Sequence, residues 1–319
     1  MALAIICSGG DAPGMNPAIK KFVDYSCKRD SETYLIYNGL EGLIDNKIKK
    51  ATNQDVAGIV HIGGTIIRSS RSKRFFEYKY RLEAFNNLKA HNIKGLVVLG
   101  GDGSFRAMEK FSSEFDINFV GIPTTIDNDI YGTEYCLGVD TALNVIRDAL
   151  DKIRDTAASF NRAFLIEVMG RDCGYLAAVS SMISGAEICI IPEIEFKAQE
   201  VEKKLTKEIK DGRNYILAII SEGSKKTPQM HKWIQEKLGL ETRVSILGHI
   251  QRGGNPTVYD RMMAFDFTIR AVEYLLSHKN SNKVVVYNKG EFSFIDIEDV
   301  VSNKYELPKH LLNAINYLD

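Results

Sequence analysis

Hydrophobic positions recur along this chain with two spacings. Short apolar runs, of the length typical of buried strands, alternate with longer stretches in which apolar residues return every three or four positions, as on one face of a helix. Several runs are apolar throughout, as in strands of a parallel sheet that helices cover on both faces. The runs that predict strands cover residues 3–7, 33–37, 95–100, 117–122, 163–168, 187–192, 215–220, 244–248 and 283–287.

The intervening stretches predict helices. In residues 141–159, Ala142, Ile146 and Leu150 fall on one face, and residues 260–279 form a second long helical pattern. Strands that alternate with helices predict an α/β fold with parallel strands and right-handed crossovers.

Composition narrows the class of protein. The 319 residues are enough for roughly two domains. The 41 basic and 41 acidic residues cancel, so we expect no nucleic acid or anionic membrane as a partner. No apolar run reaches the roughly 18 residues of a membrane span, and "MALAIICSGG" lacks the basic start of a signal peptide. The five cysteines have no C-x-x-C spacing, which favours reduced thiols in a cytoplasmic protein over disulfides or zinc.

The predicted strands end in polar, glycine-containing segments. In α/β sheets, ligands bind beyond the carboxyl ends of the strands. Nearly every strand end here carries glycine together with a charged or hydroxyl residue, so these ends predict the ligand site. The segments are "CSGGDAPG" (7–14), "GGDGS" (100–104), "PTTIDND" (123–129), "VMGRDCG" (168–174), "SEG" (221–223) and "GHIQRGG" (248–254).

The first two segments are candidates for phosphate binding. Glycine lets backbone N–H groups approach a phosphate, and a following helix start attracts the anion. They are equally compatible with tight strand-to-helix turns. Neither matches G-x-x-x-x-G-K-[ST] or a clean G-x-G-x-x-G, which argues against P-loop and nicotinamide-binding proteins. Asp102 adds a hard oxygen ligand of the kind that Mg²⁺ takes beside substrate phosphates.

Arginine recurs at the later strand ends. Arg171 and Arg252 lie in these segments, with Arg162 and Arg243 nearby, and a guanidinium binds phosphate oxygens in a bidentate manner. His249 is interpreted as a contact to a sugar or phosphate. Glu222 is a candidate acceptor for sugar hydroxyls, or simply an acid at a helix start.

The segment "TTIDNDIYGT" (124–133) poses a choice. Two carboxylates spaced by two residues form either an acidic turn or a site that takes a proton or helps to hold a cation. With a phosphate site and arginines at the other strand ends, the second option gives metal-assisted phosphoryl transfer. Asp127 is then the base, Asp129 supports it, Asp102 serves the metal, and Arg171 stabilises charge on the moving group.

At this point the sequence resembles bacterial-type 6-phosphofructokinase. The stretches "SGGDAPGMN", "GGDGS", "TIDNDI", "GVDTALN", "IRDTA", "EVMGR", "ISEG", "ETRVSILGHIQRGG" and "PTVYDR" occur in family order over nearly the whole chain. The resemblance implies two Rossmann-like three-layer domains with mostly parallel sheets and the active site in the cleft between them. It implies a larger domain of residues 1–138 plus 252–303, which binds the phosphate donor. Residues 139–251 plus 304–319 form a smaller domain, which binds the sugar phosphate.

The resemblance also implies an activity. Family members transfer the γ-phosphoryl of ATP to the C1 hydroxyl of fructose 6-phosphate in glycolysis, using Mg²⁺, as cytoplasmic homotetramers that share active sites between subunits. The implied catalytic residues are Asp127, Thr125, Asp129 and Arg171. The implied donor residues are Gly10, Arg71, Ser72, Gly101, Asp102, Gly103 and Ser104, with Asp102 on the metal. The implied sugar-phosphate residues are Thr125, Ile126, Asp127, Arg162, Met169, Gly170, Arg171, Glu222, Arg243, His249 and Arg252, of which Arg162 and Arg243 reach the site of a neighbouring subunit.

Four positions around the donor nucleoside depart from the pattern of ATP users. They are Leu40, Ser72, Ala107 and Thr124. Gly103 is retained, whereas pyrophosphate users place Asp there, so ATP is favoured and pyrophosphate is the alternative. A non-catalytic sugar-phosphate sensor is a further alternative, against which Asp127, Asp102 and Arg171 argue.

Regulation is expected to be weak. Many bacterial relatives bind ADP or phosphoenolpyruvate at a second site, and Lys20, Arg154, Glu187 and Arg213 are the candidate effector residues that remain. Lys20 and Asp24 both replace arginines, and Asp24 repels an anion. Because arginine is not interchangeable with lysine at bidentate phosphate contacts, the resemblance predicts a weakened effector site.

Overall fold

Strands and helices alternate along the chain in the structure, a computed structural model that describes residues 1–279, 281–315 and 318. The strands in this part of the chain are β1 (Ala2–Cys7), β2 (Glu32–Ile36), β3 (Ile48–Ala51), β4 (Ile93–Gly100), β5 (Phe119–Pro123), β6 (Ala163–Val168), β7 (Ile188–Ile190), β8 (Ile216–Ser221), β9 (Thr242–Ile246), β10 (Asn282–Asn288) and β11 (Glu291–Asp296). The α-helices are α1 (Met15–Lys28), α2 (Gly39–Ile44), α3 (Tyr78–Ala90), α4 (Asp102–Glu114), α5 (Val139–Phe160), α6 (Tyr175–Ser184), α7 (Ala198–Lys210), α8 (Thr227–Trp233), α9 (Val258–Ser277), α10 (Ile297–Ser302) and α11 (Lys309–Ile315).

The chain divides into two compact units. The first contains residues 1–141 and 252–305, and the second contains residues 142–251 and 306–319. Of the two predicted domains, residue 280 of the first and residues 316, 317 and 319 of the second lie outside the described residues.

The first unit is built on a seven-stranded sheet in the order β11-β10-β5-β4-β1-β2-β3. Its central strands are parallel, and only the two edge strands run antiparallel to their neighbours. Leu99 pairs with Cys7 on one side and with Ile122 on the other, so β1, β4 and β5 end at the same level. This register delivers three of the predicted ligand-binding segments to one edge of the sheet.

The second unit has a four-stranded, all-parallel sheet in the order β7-β8-β6-β9. Val168 pairs with Ser221, and Glu167 pairs with Ile246, so β6, β8 and β9 also end together. Residues of β6, β7 and β8 pack with α7 and α8 in a buried core that includes Leu165, Ile190 and Leu205. The second unit thus places three further predicted segments at one sheet edge.

The predicted α/β class with mostly parallel sheets is confirmed, and every predicted strand is present with small differences at its ends. The sequence patterns did not reveal the edge strands β3 and β11, in which many side chains are exposed. None of the five cysteines, all of which lie within the described residues, forms a disulfide. No helix within the described residues is long and apolar enough to cross a membrane.

A buried carboxylate joins α9 to the chain that follows β5. Asp260 is fully buried and accepts hydrogen bonds from the Tyr135 hydroxyl at 2.6 Å, the Gly138 N–H at 2.6 Å and the Thr141 N–H at 2.8 Å. The Thr141 hydroxyl is a further donor. The hydroxyl of Thr257 caps α9 by accepting the Asp260 N–H. Since buried polar groups must keep their partners, this carboxylate fixes the segment against the helix.

We expect Asp260→Ala to lower the free energy of unfolding by about 3 kcal/mol or more, because it leaves several buried donors without an acceptor. Urea unfolding followed by circular dichroism measures the loss. The matched control is Asp266→Ala on the same helix, which removes an exposed pair with Arg270 and is expected to cost less than about 1 kcal/mol. Similar losses in the two variants would contradict the anchoring role of Asp260.

Candidate functional site

In the first unit, the glycine-rich turn of residues 100–104 spans the last residue of β4 and the first residues of α4, which begins at Asp102. A Cβ added at Gly100 would lie 2.6 Å from the Cβ of Ser104, so only glycine fits there. At Gly103, in contrast, an added Cβ meets no heavy atom within 4 Å. The turn therefore combines the start of a 13-residue helix with open space in front of a glycine, an arrangement suited to an anion such as phosphate.

Asp102 is the carboxylate of this turn. Its side chain is 43% exposed, and the Nε of Arg106 lies 2.9 Å from one of its oxygens. Among the described residues no group of three or more His, Cys, Asp or Glu is placed to hold a metal ion. Mg²⁺ commonly takes one or two carboxylates and completes its shell with water and substrate phosphates. A single carboxylate in a glycine-rich turn at a helix start fits that pattern.

The turn after β1 contains Gly10, which lies against Arg252. A Cβ on Gly10 would lie 2.1 Å from a terminal guanidinium nitrogen of Arg252. The same nitrogen donates to the backbone carbonyl of Asp11 at 3.4 Å. The structure thus brings together a predicted donor residue and a predicted sugar-phosphate residue within the first unit.

Arg71 and Ser72 lie in the loop that precedes α3. Arg71 is exposed. The hydroxyl of Ser72 accepts the N–H of Phe75 at 3.0 Å, so it stabilises a turn of the loop. Leu40 is buried within the unit, with 4% of its surface exposed. Ser72 and Leu40, two of the positions that depart from the pattern of ATP users, thus have side chains that contribute to the fold of the unit.

The segment after β5, residues 124–138, is called here the acidic loop. Its neck is closed by pairing of Thr124 with Leu137. A Cβ on Gly101 would lie 3.3 Å from the Cβ of Thr125, so the acidic loop lies next to the turn after β4. The N–H of Asp127 donates to the Thr125 hydroxyl at 3.2 Å. Asp127 is partly buried, as is Asp129, whereas Ile126 between the hydroxyl and the carboxylate is buried.

Asn128 was not predicted as a site residue, although it lies between the two carboxylates. The residue is buried, with 1% of its surface exposed, and its backbone is left-handed at φ 52°. Its amide donates to the carbonyl of Glu134 at 3.1 Å and accepts the N–H of Cys136 at 2.9 Å. The sequence signal for this residue was its type, because asparagine is one of the few residues besides glycine that tolerate the left-handed backbone region.

In the second unit, three adjacent strand ends carry the predicted sugar-phosphate residues. Met169, Gly170 and Arg171 follow β6, Glu222 follows β8, and His249 follows β9. Arg171 and His249 are exposed, and Glu222 is partly exposed. Polar, accessible groups from three neighbouring strands thus face the same sheet edge.

Gly170 is the residue that shapes the end of β6. It has φ 124°, and its carbonyl accepts the Ser221 hydroxyl at 2.6 Å and the Gly223 N–H at 3.0 Å. A Cβ at Gly170 would lie 2.3 Å from the carbonyl of Cys173, which excludes larger residues. The N–H of Met169 is held by the side chain of Gln251 at 3.1 Å. The turn that carries Arg171 is therefore fixed by the ends of two neighbouring segments.

Arg162 and Arg243 lie at the opposite end of these strands. Arg162 precedes β6 and Arg243 belongs to the start of β9, whereas Arg171 follows β6. Because β6 has six residues, roughly 20 Å separates its two ends. Both arginines pair with Glu241, at 2.8 Å for Arg162, and this acid was not predicted from the sequence. The two arginines thus lie together at the amino ends of β6 and β9, away from the carboxyl ends that carry Arg171 and His249.

The candidate effector residues fall into two groups. In the second unit, Arg213 forms ion pairs with the buried Glu187 and, at 2.7 Å, with Glu208. Burial raises the pKa of Glu187, while the Leu217 N–H and the charges of Arg213 and Arg154 oppose that rise. In the first unit, the ammonium of Lys20 lies 2.7 Å and 2.5 Å from the two oxygens of Asp24. Lys20 and Arg213 therefore have acidic partners within their own units.

Comparison with known proteins agrees with the resemblance. Residues 2–275 match the phosphofructokinase family. An ATP-dependent 6-phosphofructokinase of Sulfurimonas denitrificans is 56% identical over 314 residues, which cover 98% of each chain. One of Wolinella succinogenes is 51% identical over 319 residues, which cover 100% of this chain and 99% of its own.

Solved structures give the same fold. Phosphofructokinase of Saccharomyces cerevisiae superposes with a TM-score of 0.90 at 31% identity and covers 100% of this chain, which spans 47% of the yeast chain. A pyrophosphate-dependent phosphofructokinase of Marinobacter aquaeolei has a TM-score of 0.84 at 21% identity, over 97% of this chain and 86% of its own, which is a likeness of fold alone. With a family match over most of its length and close relatives at full coverage, the chain belongs to the phosphofructokinase family.

Proposed function

We propose that this chain is an ATP-dependent 6-phosphofructokinase of glycolysis, which transfers the γ-phosphoryl of ATP to the C1 hydroxyl of fructose 6-phosphate. The observation that carries the proposal is the adjacency of the glycine-rich turn after β4 and the acidic loop, which meet at Gly101 and Thr125. Phosphoryl transfer needs an anion site next to a base, and this edge of the first sheet supplies both. The full-length relatives with the same named activity support it.

Each role follows from the chemistry of its group. Asp127 takes the proton of the attacking hydroxyl, while Thr125 accepts the Asp127 N–H and so orients its backbone. Asp129 supports the site through the metal or through Asp127. Arg171, exposed at the end of β6, stabilises charge on the transferred group. Asp102, together with the donor phosphates, would hold Mg²⁺, which would neutralise phosphate charge when bound.

The donor is ATP rather than pyrophosphate. The open space in front of Gly103 accommodates a third phosphate, whereas an aspartate there would repel it. Thr124 does not compete for that space, since it is 1% exposed and its hydroxyl donates to the carbonyl of Ile122 at 3.0 Å. Gly10, Arg71, Ser72, Gly101 and Ser104 complete the donor side of this proposal.

The proposed acceptor residues, which contact the sugar phosphate, are Met169, Gly170, Glu222, His249, Ile126 and Arg252. A non-catalytic sensor would need no base, so the retained Asp127 disfavours that alternative. Cysteines that form no disulfide are compatible with a cytoplasmic enzyme.

We also propose that Arg162 and Arg243 serve the active site of a neighbouring subunit in a homotetramer. Within one unit they lie about 20 Å from the end of β6, too far to join its ligand. The strand that carries Arg243, β9, is an edge strand with exposed apolar side chains at Val244 (41%) and Ile246 (64%). An exposed edge with apolar side chains is a surface that proteins normally cover.

The activity is tested by a coupled assay with fructose 6-phosphate and ATP, GTP or pyrophosphate as donor. We expect ATP to support turnover and pyrophosphate to support little. Asp127→Ser is the inactive control, and removal of a general base lowers kcat on the order of 10²–10⁴-fold. Turnover with pyrophosphate alone would overturn the choice of donor. A folded Asp127→Ser variant that keeps more than about a tenth of the rate would exclude Asp127 as the base.

Arg162→Ala is expected to raise the KM for fructose 6-phosphate about ten- to a hundredfold, because it removes one charge-assisted contact to the 6-phosphate. Sharing between subunits is tested by coexpression of the Arg162→Ala chain with the Asp127→Ser chain. Hybrid oligomers then contain some sites with an intact base and an intact arginine. Activity above the sum of the two separate variants supports shared sites, and activity equal to that sum refutes them.

We propose further that effector control is weak. Lys20 is already neutralised by Asp24, and Arg213 by Glu187 and Glu208, so an anionic effector would have to replace internal partners. Arg154 is the remaining candidate, and it lies near enough to Glu187 to lower the pKa of that carboxyl. Local acids thus offset the positive charge that an anion would need.

Fructose 6-phosphate saturation curves with and without millimolar ADP or phosphoenolpyruvate measure this regulation. We expect the half-saturation concentration to change less than about fivefold, which corresponds to roughly 1 kcal/mol of coupling. Asp24→Arg, which removes the partner of Lys20 and adds a positive charge, is the matched variant and should increase any response. A larger shift in the unmodified chain would contradict weak regulation.

A further inference from the structure

We infer that Asn128 is a positioning residue for Asp127, an inference that rests on the proposed function. Asn128 lies between Asp127 and Asp129 in the acidic loop. It does not carry the chemistry, since its side chain is bonded to the loop backbone and the residue has 1% of its surface exposed. Its two hydrogen bonds, to the Glu134 carbonyl and from the Cys136 N–H, cross the loop from the half that bears the carboxylates to the opposite half.

The opposite half is fixed to the sheet. The N–H of Glu134 donates to the carbonyl of Tyr287 at 2.9 Å, and the Thr133 hydroxyl accepts the Tyr287 N–H at 3.1 Å. The side chain of Asn288 donates to the carbonyl of Gly132 at 2.6 Å. Tyr287 and Asn288 belong to β10, which pairs with β5 and β11. Residues 132–134 therefore behave as an extension of the sheet.

The base of the loop is fixed to α9. Asp260 holds the Tyr135 hydroxyl and the Gly138 N–H, each at 2.6 Å. Thr124 and Leu137 close the neck beside it. Asn128 bonds to the backbone on both sides of the anchored Tyr135, at Glu134 and at Cys136. Its side chain thus links the carboxylate-bearing half to groups held by two secondary structure elements.

The backbone of Asn128 makes a second contribution. At φ 52° it is left-handed, a conformation that residues other than glycine, asparagine and aspartate rarely adopt. A turn of this kind at the residue after Asp127 sets the direction in which Asp127 and Asp129 leave the loop. The side chain and the backbone therefore act on the same pair of carboxylates, and loss of the side chain releases them without removing a group that touches the substrate.

The test is Asn128→Gly, which keeps the left-handed backbone accessible and removes both side-chain hydrogen bonds. A catalytic group displaced by about 1 Å can cost on the order of a hundredfold in rate, so we expect kcat to fall about 10- to 100-fold while the KM for fructose 6-phosphate changes less than about threefold. The matched control is Asn92→Gly, an exposed left-handed asparagine with φ 53° that precedes β4 at its other end. It should retain the rate of the unmodified enzyme.

A double-mutant cycle separates positioning from general loss of structure. If Asn128 acts through Asp127, Asn128→Gly lowers the rate of the Asp127→Ser enzyme by less than about threefold, because the base is already gone. An equal fold-loss in both backgrounds would show a structural role only and overturn the inference. Circular dichroism checks that each variant is folded.

Asn128→Asp is the second test variant, used if the glycine variant does not fold. It keeps the acceptor for the Cys136 N–H and tolerates the left-handed backbone, but it places an oxygen against the Glu134 carbonyl, and the same non-additive loss is expected. An active unmodified enzyme with an equally active Asn128→Gly variant would overturn the positioning role alone. An unmodified enzyme that does not phosphorylate fructose 6-phosphate would overturn the proposed function and, with it, the role of Asn128.

Discussion

Parallel pairing in register is the constraint that sets where the strands end in each of the two units. In the first unit, Leu99 is paired with Cys7 and with Ile122, and in the second unit Val168 is paired with Ser221. Strands that start at different places in the sequence are thereby made to end together, and the polar segments that follow them become neighbours. A slip by one residue would move a strand end by about 3.3 Å and turn each side chain to the other face of the sheet. The buried apolar strands prevent that slip, so the site inherits its geometry from the core.

Features that depend on short stretches of sequence could be predicted. Runs such as "GLVVLG" are apolar on both faces, which predicts a central strand, and the glycines that follow them mark the turn. The edge strands β3 and β11 were missed because they lie at the borders of the sheet. In β3 the buried ends Ile48 and Ala51 enclose two exposed lysines, a pattern too short to establish a period. These two strands form through antiparallel pairing with β2 and β10, which the local sequence pattern does not reveal.

Residues whose role depends on a distant partner could not be found in the same way. Glu241 gains significance only because β6 and β9 pair, which brings Arg162 and Arg243 to the same carboxylate. Asp260 was part of a recognised motif, but its function as a buried acceptor follows from Tyr135, which is distant in the sequence. The catalytic role of Asp127 was proposed from chemistry and position alone. The arrangement that would hold it in place became visible only when the loop was seen closed on itself.

Electrostatics explain how such a site remains stable before a ligand binds. Charged groups that are proposed to bind phosphate or metal repel like charges and lose solvation when they are enclosed, so each is more stable with a partner of opposite charge. Arg106 forms an ion pair with Asp102, and Glu241 forms ion pairs with Arg162 and Arg243. All of these groups are at least partly exposed, and exposed pairs are worth at most about 1 kcal/mol, so a ligand can replace them at little cost. Asp260 follows the opposite rule, since it is buried, has several donors and cannot exchange them. Burial therefore distinguishes the exposed charged groups, whose partners a ligand can replace, from Asp260, whose buried hydrogen bonds stabilise the loop.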